Sequence, residues 1–310
     1  MILNIFSNFF VLIHLFSVSY SQSNEPANFS GKKPNAEQLT FTFYKDANSK
    51  PEVYHTTSSS LHIAQSLTVF IIPDHDENSK TEWVEKLRVA LLKKYQVVII
   101  DWSIAGGDPN TAKDNTKFVA DNLATFITDA KVPANQVILV GLGFGAQIAG
   151  LTGKAYTSQN SGQKLFIIIA LDPAAAGFEV EKRSKTKIPD SNKLIATDAT
   201  IVSCTHTNCQ KYGVKAATCT IDYYVNDGNV QPGCTDDKDK CSHTRAAEIF
   251  LASLEVSNAK AQEASVTVLR DKVAVRTTST KTELYGLSIG PTSKGIYQLK
   301  TTNTPPYLTK

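Results

Sequence analysis

This chain contains few long apolar stretches and has little net charge, and each of these features excludes some classes of protein. Residues 2–20 contain no Lys, Arg, Asp or Glu, and no later stretch is apolar for long enough to span a bilayer. We therefore expect no integral membrane segment in the mature chain. The net charge is only +3 over 310 residues, which gives no reason to expect nucleic acid or acidic membranes as partners.

The uncharged N-terminal segment predicts secretion. It is dominated by Ile, Phe, Leu and Val and ends in Ser19-Tyr20-Ser21, whose small residues suit cleavage after Ser21. We expect a signal peptide over residues 1–21; because the basic segment that normally precedes the apolar run is absent, an uncleaved anchor is the alternative. Residues 22–38 form a polar leader, and Asn28 begins the N-glycosylation sequon Asn-Phe-Ser.

Cysteine is absent outside the segment from Cys204 to Cys241, which contains all five. In a secreted chain such a cluster favours disulfides, and an odd number leaves one thiol unpaired. The spacings contain no repeated C-x₂-C pair, so they do not indicate a zinc site. We expect neither a metal nor a cofactor.

Hydrophobic periodicity predicts an α/β fold. Apolar runs typical of buried strands alternate with segments of helical spacing, which implies β-α-β units and a largely parallel sheet. From Ser265 onward the pattern changes to short segments typical of antiparallel edge strands. No repeat or linker divides the chain, so we expect a single domain over residues 39–310. The predicted strands are residues 39–44, 67–72, 95–100, 137–140, 165–170, 200–204 and, in the tail, 266–270, 273–276, 285–287 and 295–299; the predicted helices are 81–94, 112–129 and 244–256.

The segment Val137–Gly150 is the most informative part of the sequence. A buried strand, the turn Gly141-Leu-Gly143-Phe-Gly145 and a helix start have the layout of G-x-S-x-G, in which a strained turn presents a nucleophilic serine. Glycine at the central position, Gly143, has no hydroxyl and cannot form an acyl-enzyme. The pattern therefore predicts a hydrolase scaffold without its nucleophile.

Two further residues match the rest of such a site. Asp172 follows a predicted buried strand and His243 precedes a predicted helix, in the order of an acid and then a histidine after the nucleophile. Each has a structural alternative when taken alone: an Asp before a Pro commonly forms a turn, and a single His is more often structural than catalytic. The combination of three elements in one order favours the triad interpretation.

These motifs resemble the neutral (pancreatic-type) lipase family over residues 39–307. The resemblance implies an α/β-hydrolase fold with a mostly parallel central sheet and antiparallel C-terminal edge strands. Some members of the family carry a C-terminal β-sandwich domain, which we do not expect here because the sequence ends with the core. The matching segments are Asp101–Ser103, Val137–Gly150, Leu171–Ala174, His206–Asn208, Asp222–Asn226, Gln231–Cys234, Cys241–Ala246 and the tail 295–307.

The chain departs from the family pattern at the site itself. The family's His-Gly-aromatic oxyanion loop is Pro73-Asp74-His75 here; Pro73 has no N–H, and the charge of Asp74 would oppose a developing oxyanion. We expect Gly143, Asp172 and His243 to be an inactive remnant of a triad, with His75 and Phe144 marking the remnant oxyanion region. A short charged loop, Thr235–Lys240, replaces an apolar lid.

The resemblance implies one disulfide, a bridge between Cys234 and Cys241 around the short loop. A bridge between Cys209 and Cys219 would cross-link the segment that connects two predicted strands. Cys204, on a predicted buried strand, would then be the free thiol.

The functional expectation at this point is a secreted protein without catalytic activity. Catalytically inactive insect yolk polypeptides of the moth follicular-epithelium type are the closest in kind, which implies a yolk storage (nutrient reservoir) role, with yolk-protein subunits and an oocyte uptake receptor as partners. The remnant acyl pocket would hold a lipid or other apolar ligand. The alternative is a weakly active secreted carboxylic-ester hydrolase of the lipase or phospholipase A1 type, in which His243 and Asp172 activate water.

Overall fold

The computed structural model describes residues 34–56, 63, 66–180, 187–256 and 258–308. The predicted signal peptide and the Asn28 sequon lie outside the described residues. Within them, eleven strands form one sheet and four α-helices pack against it. The strands are β1 (Thr40–Tyr44), β2 (Glu52–Tyr54), β3 (Thr68–Ile72), β4 (Gln96–Asp101), β5 (Val137–Leu142), β6 (Ile167–Leu171), β7 (Ile201–His206), β8 (Ile221–Val225), β9 (Lys260–Val268), β10 (Val273–Leu284) and β11 (Gly295–Leu299), and the helices are α1 (Glu82–Leu91), α2 (Pro109–Asp129), α3 (Phe144–Gln159) and α4 (Lys238–Ser253).

The strand order is β10-β9-β11-β8-β7-β6-β5-β3-β4-β1-β2. Neighbours from β4 to β11 run parallel, while β1 and β2 at one edge and β9 and β10 at the other are antiparallel. This confirms the predicted fold class. Residues 295–299 were expected among the antiparallel edge strands. The strand β11 is antiparallel to β9, as expected, but it lies inside the sheet and runs parallel to its other neighbour, β8.

Helices cover both faces of the sheet, which is why the central strands are buried along their whole length. Helices α2 and α3 pack together on one face, where Val119, Leu123 and Ile148 join the core. Helices α1 and α4 cover the other face with Trp83 and Phe250 among their core residues. In the part of the chain that the structure describes, no helix is both long and apolar enough to cross a membrane.

Helix α4 begins earlier than its hydrophobic pattern suggested. It begins at Lys238 rather than near Thr244, because the Asp237 side chain accepts a hydrogen bond from the Lys240 N–H and caps the helix. The charged segment Thr235–Lys240 was therefore wrongly assigned to a loop over its whole length, since its last residues belong to α4. As a consequence, His243 lies inside α4, buried and held by a rigid element, instead of preceding the helix.

The cysteine pairing differs from our expectation in one of two bridges. Cys234 and Cys241 are bonded as expected, with their Cα atoms 5.6 Å apart. The expected Cys209–Cys219 bridge was wrong: Cys204 is bonded to Cys219, with Cα atoms 5.9 Å apart. Asp222 is the register partner of Cys204 and accepts a hydrogen bond from the Cys219 N–H, which folds Cys219 back onto β7. Cys209 is the buried free thiol.

Candidate active site

The turn between β5 and α3 keeps the geometry of a nucleophile elbow. Gly143 adopts φ 57° and ψ −117°, a conformation that side chains rarely adopt, and its N–H donates to the Leu171 carbonyl at 3.0 Å. At Gly141 and Gly145 a Cβ atom would overlap backbone of Gly145 and Ile72, so only glycine fits there. At Gly143 the overlap is of a different kind, because the nearest atoms all belong to the Asp74 carboxylate.

Asp172 lies at the end of β6, where the triad acid was expected. It is fully buried and adopts a left-handed φ of 40°. One carboxylate oxygen, Oδ1, accepts hydrogen bonds from the Thr207 and Asn208 N–H groups at 2.8 and 2.9 Å. The other, Oδ2, lies 2.6 Å from His243 Nδ1. The acid is thus fixed by backbone and aimed at the imidazole, as an orienting carboxylate must be.

His243 lies between two buried carboxylates. Its Nδ1 faces Asp172, and its Nε2 lies 3.0 Å from Oδ2 of Asp74. Burial alone would lower the pKa of His243, but the hydrogen bonds and charges of Asp172 and Asp74 raise it to about 10. The imidazole is therefore a cation at neutral pH, positioned to donate a proton.

Asp74 occupies the place of the missing nucleophile. Its Oδ2 makes the contact with His243 Nε2 that a serine hydroxyl makes in a triad. Burial opposes ionisation, but the hydrogen bonds and charges of His243 and His75 hold the pKa of Asp74 well below its usual range. Glu77 positions the residue, since it accepts hydrogen bonds from the Asp74 N–H at 3.2 Å and from Trp83 Nε1 at 2.8 Å.

The other oxygen of Asp74 occupies an oxyanion site. Its Oδ1 accepts the N–H groups of His75 and Phe144 at 2.8 and 2.9 Å. Two convergent backbone donors on one oxygen are what an oxyanion hole provides. The site therefore has two donors despite Pro73, one from the loop (His75) and one from the elbow (Phe144). The Asp74 charge that we expected to oppose an oxyanion is the charge that these two donors stabilise. One carboxylate thus fills both the nucleophile position and the oxyanion position.

A cavity of about 230 Å³ opens beside this carboxylate. Phe144, Ala174 and Ala176 give it apolar walls, and His243 and Asp74 line it as well. Lys240, from the first turn of α4, also lines the cavity and pairs with Asp76 at 2.9 Å. This ion pair could not be predicted from the sequence, and neither could three further residues that line the cavity, Pro109, Lys211 and Tyr212.

Two groups of side chains in the described residues have the spacing of metal ligands, but neither has free ligands. Cys204, His206 and Asp222 form the first group, and Cys204 is bonded to Cys219. Asp74, His75 and Asp76 form the second. Its carboxylates already accept hydrogen bonds from His243, Lys240 and backbone N–H groups. The absence of a metal stays a prediction.

Comparison with known proteins places the chain in a family. The model of the Lipase family matches residues 16–269. The chain belongs to the lipase family. It is 33% identical over 193 residues to a phospholipase A1 of Vespula squamosa, which covers 57% of this chain and 62% of that protein. It is 28% identical over 253 residues to phospholipase A1 1 of Dolichovespula maculata, covering 74% and 77%.

Relatives that are named lipase also match the chain. Lipase member H of Mus musculus is 29% identical over 214 residues, which cover 64% of this chain and 45% of that protein. The chain thus spans less than two thirds of that lipase and of the Vespula squamosa enzyme. A solved phospholipase/carboxylesterase from Dyadobacter fermentans has a TM-score of 0.35 and 10% identity, covering 70% of this chain and 85% of that chain; it is too distant to bear on the site.

These relatives contradict the expectation that this lipase-family chain is not an enzyme. The relatives are named phospholipase A1 and lipase, so the inference from glycine at position 143 to a chain without catalysis was wrong. That inference rested on the serine position and on the altered oxyanion loop, where it treated Asp74 only as a charge that opposes an oxyanion. It missed that the Asp74 carboxylate reaches His243 Nε2 and so lies at the serine position. The finer resemblance to yolk polypeptides finds no support in these relatives.

Proposed function

We propose that this member of the lipase family hydrolyses carboxylic esters of lipids, with Asp74 and His243 activating water in place of a serine. One observation carries the proposal: an ionised carboxylate lies 3.0 Å from the imidazole of a buried His–Asp pair at the nucleophile elbow. The names of the relatives support the ester class, and the apolar walls of the adjacent cavity suit an acyl chain.

The first step of the proposed reaction is an exchange at the oxyanion site. The substrate carbonyl oxygen accepts hydrogen bonds from the N–H groups of His75 and Phe144. These hydrogen bonds replace the ones that the same two groups donate to Oδ1 of Asp74 in the resting site. The released carboxylate is a stronger base than the bound one, because hydrogen bonds to the charged form lower a pKa. Asp74 can then accept a proton from a water molecule in the cavity.

The chemical step uses the two charged groups together. Water oxygen bonds to the ester carbon while Asp74 takes one water proton, and the two N–H groups hold the oxyanion that forms. When the ester C–O bond breaks, His243 gives its Nε2 proton to the leaving alcohol. The proton on Asp74 then returns to His243, which restores the resting ion pair. We expect slow turnover because no acyl-enzyme forms. The rate should exceed that of the uncatalysed reaction in water by about 10³–10⁴-fold, as it does in serine hydrolases whose nucleophile has been removed.

The test is ester hydrolysis by the purified protein and by an Asp74→Asn variant, with short- and long-chain p-nitrophenyl esters and a phospholipid as substrates. The amide keeps the shape of the side chain but cannot act as the base, so we expect kcat to fall by about 10²-fold or more. Asp222→Asn is the matched control, because Asp222 is also buried against a histidine, with its Oδ1 2.8 Å from His206 Nε2, outside the site.

The outcome of this comparison is decisive in either direction. The proposal is supported if the natural chain and Asp222→Asn hydrolyse the ester faster than buffer alone and Asp74→Asn does not. Equal rates in the natural chain and in Asp74→Asn would contradict it, because the carboxylate would then have no part in the reaction.

We further infer that the chain is secreted, on the basis of residues 1–21 and in agreement with the two disulfides. Glycosylation at Asn28, uptake by an oocyte receptor, association with yolk subunits and a nutrient-reservoir role stay predictions. The same holds for a bound apolar ligand, for which the cavity beside Phe144 is the candidate place. Native mass spectrometry of the purified protein tests the ligand and the subunits together.

A further inference from the structure

We propose that Asp74 also acts as a nucleophile toward saturated carbon and opens the epoxide ring of lipid epoxides. This inference goes beyond ester hydrolysis, because the bond is formed to an alkyl carbon by the carboxylate itself. It arises from the way the two oxygens of Asp74 are held: Oδ1 by the N–H groups of His75 and Phe144, and Oδ2 facing His243.

The position of Oδ1 distinguishes the two chemistries. In ester hydrolysis the substrate carbonyl needs the two N–H groups, so Oδ1 must leave them. An epoxide has no carbonyl and leaves Oδ1 in place. An alkyl ester of Asp74 is hydrolysed when water attacks its carboxyl carbon, and the negative charge then develops on Oδ1. The same two donors stabilise that charge.

The first step forms this ester. Oδ2 bonds to one epoxide carbon, the ring C–O bond breaks, and the ring oxygen takes a proton from the Tyr212 hydroxyl. Tyr212 is suited to this because it lines the cavity with its ring centroid 5.4 Å from that of His243, and Lys211 lies 5.0 Å above its ring. The cation stabilises the phenolate until His243 returns a proton to it through cavity water.

The second step releases the diol. His243 is now neutral, since Asp74 has become an uncharged ester and only Asp172 still favours the protonated imidazole. It removes a proton from water, the hydroxide bonds to the Asp74 carboxyl carbon, and the N–H groups of His75 and Phe144 hold the oxyanion. Collapse breaks the ester bond; the departing alkoxide takes the proton of the new carboxyl group, and His243 keeps its own. The sum is epoxide plus water to diol, and one oxygen of Asp74 comes from water.

That oxygen is the basis of the experiment. The protein is turned over with 1,2-epoxydecane, which contains no ester, in H₂¹⁸O, and diol and the Asp74 peptide are analysed by mass spectrometry. We expect diol formation with ¹⁸O in Asp74 of the natural chain, and at least an approximately 10²-fold loss of diol in Asp74→Asn. In His243→Gln, which blocks the second step, the Asp74 peptide is expected to gain the mass of one epoxide.

The result separates this inference from the proposed function. Diol with ¹⁸O in Asp74 supports it whether or not the protein cleaves esters. Ester cleavage without diol, or diol formed without ¹⁸O in Asp74 and without a modified peptide in His243→Gln, overturns it. A folded natural chain that acts on neither substrate overturns both.

Discussion

The double variant Asp74→Gly/Gly143→Ser is expected to hydrolyse p-nitrophenyl esters at least about 10³-fold faster than the natural chain, since loss of a triad nucleophile costs roughly 10⁶-fold. The atoms nearest a Cβ on Gly143 are those of the Asp74 carboxylate, so removing that side chain makes room for serine. It also frees the N–H groups of His75 and Phe144 for the substrate. Without Asp74 as a partner, the pKa of His243 falls and the imidazole can act as a base.

The single variants are the controls for this gain. Gly143→Ser alone places its side chain against the Asp74 carboxylate and is expected to lower the free energy of unfolding by about 1–3 kcal/mol without a gain in rate. Asp74→Gly alone lacks a nucleophile. A covalent adduct with an alkyl phosphonate should form only in the double variant. A folded double variant with no gain in rate and no adduct would show that the elbow and His243 are not arranged as described.

His243→Ala is expected to lower the free energy of unfolding by about 3–5 kcal/mol, measured by urea denaturation near pH 7. The variant leaves the carboxylates of Asp74 and Asp172 buried without the cation that lies between them. Since the pKa of His243 is raised to about 10, its stabilisation is complete below the unfolded value of roughly 6.5 and is lost as the pH rises through 10. The difference between natural chain and variant should therefore shrink above pH 10.

Removing one of the two charges should partly restore stability. In Asp74→Asn/His243→Ala a single carboxylate remains, and we expect a coupling energy of about 1–3 kcal/mol between the two positions. If His243→Ala does not fold, His243→Gln keeps a donor for one of the carboxylates and gives the same comparison. A loss below about 1 kcal/mol in either variant would mean that the buried ion pair does not form in solution.

The sequence was sufficient to predict the scaffold of the site. The glycines around position 143 and the strand before them identify the elbow, because close backbone approach at Gly141 and Gly145 leaves no room for other residues. Asp172 and His243 follow in the order that the fold imposes, and the structure brings them to 2.6 Å. These features are local or depend on chain order, which is why a single sequence contains them.

The role of Asp74 could not be predicted because it depends on contacts between distant segments. Asp74 is 70 residues from Phe144 and 169 from His243, and nothing in the local pattern shows that its two oxygens reach both. The partner of Cys204 is a similar case: the spacing allows several pairings, and the register of β7 with β8 selects Cys219. The start of α4 depends on a single cap, Asp237, in a charged segment that resembles a loop.

The pH dependence of ester hydrolysis by the natural chain tests whether an Asp74–His243 ion pair replaces the serine. In this mechanism His243 must be protonated, and its pKa is about 10. We therefore expect a constant kcat/KM from about pH 5 to 9 and a loss above about pH 10, with the fold monitored by circular dichroism. A serine triad needs a neutral histidine, so a rate that rises with a midpoint at roughly pH 7 would contradict the ion-pair mechanism.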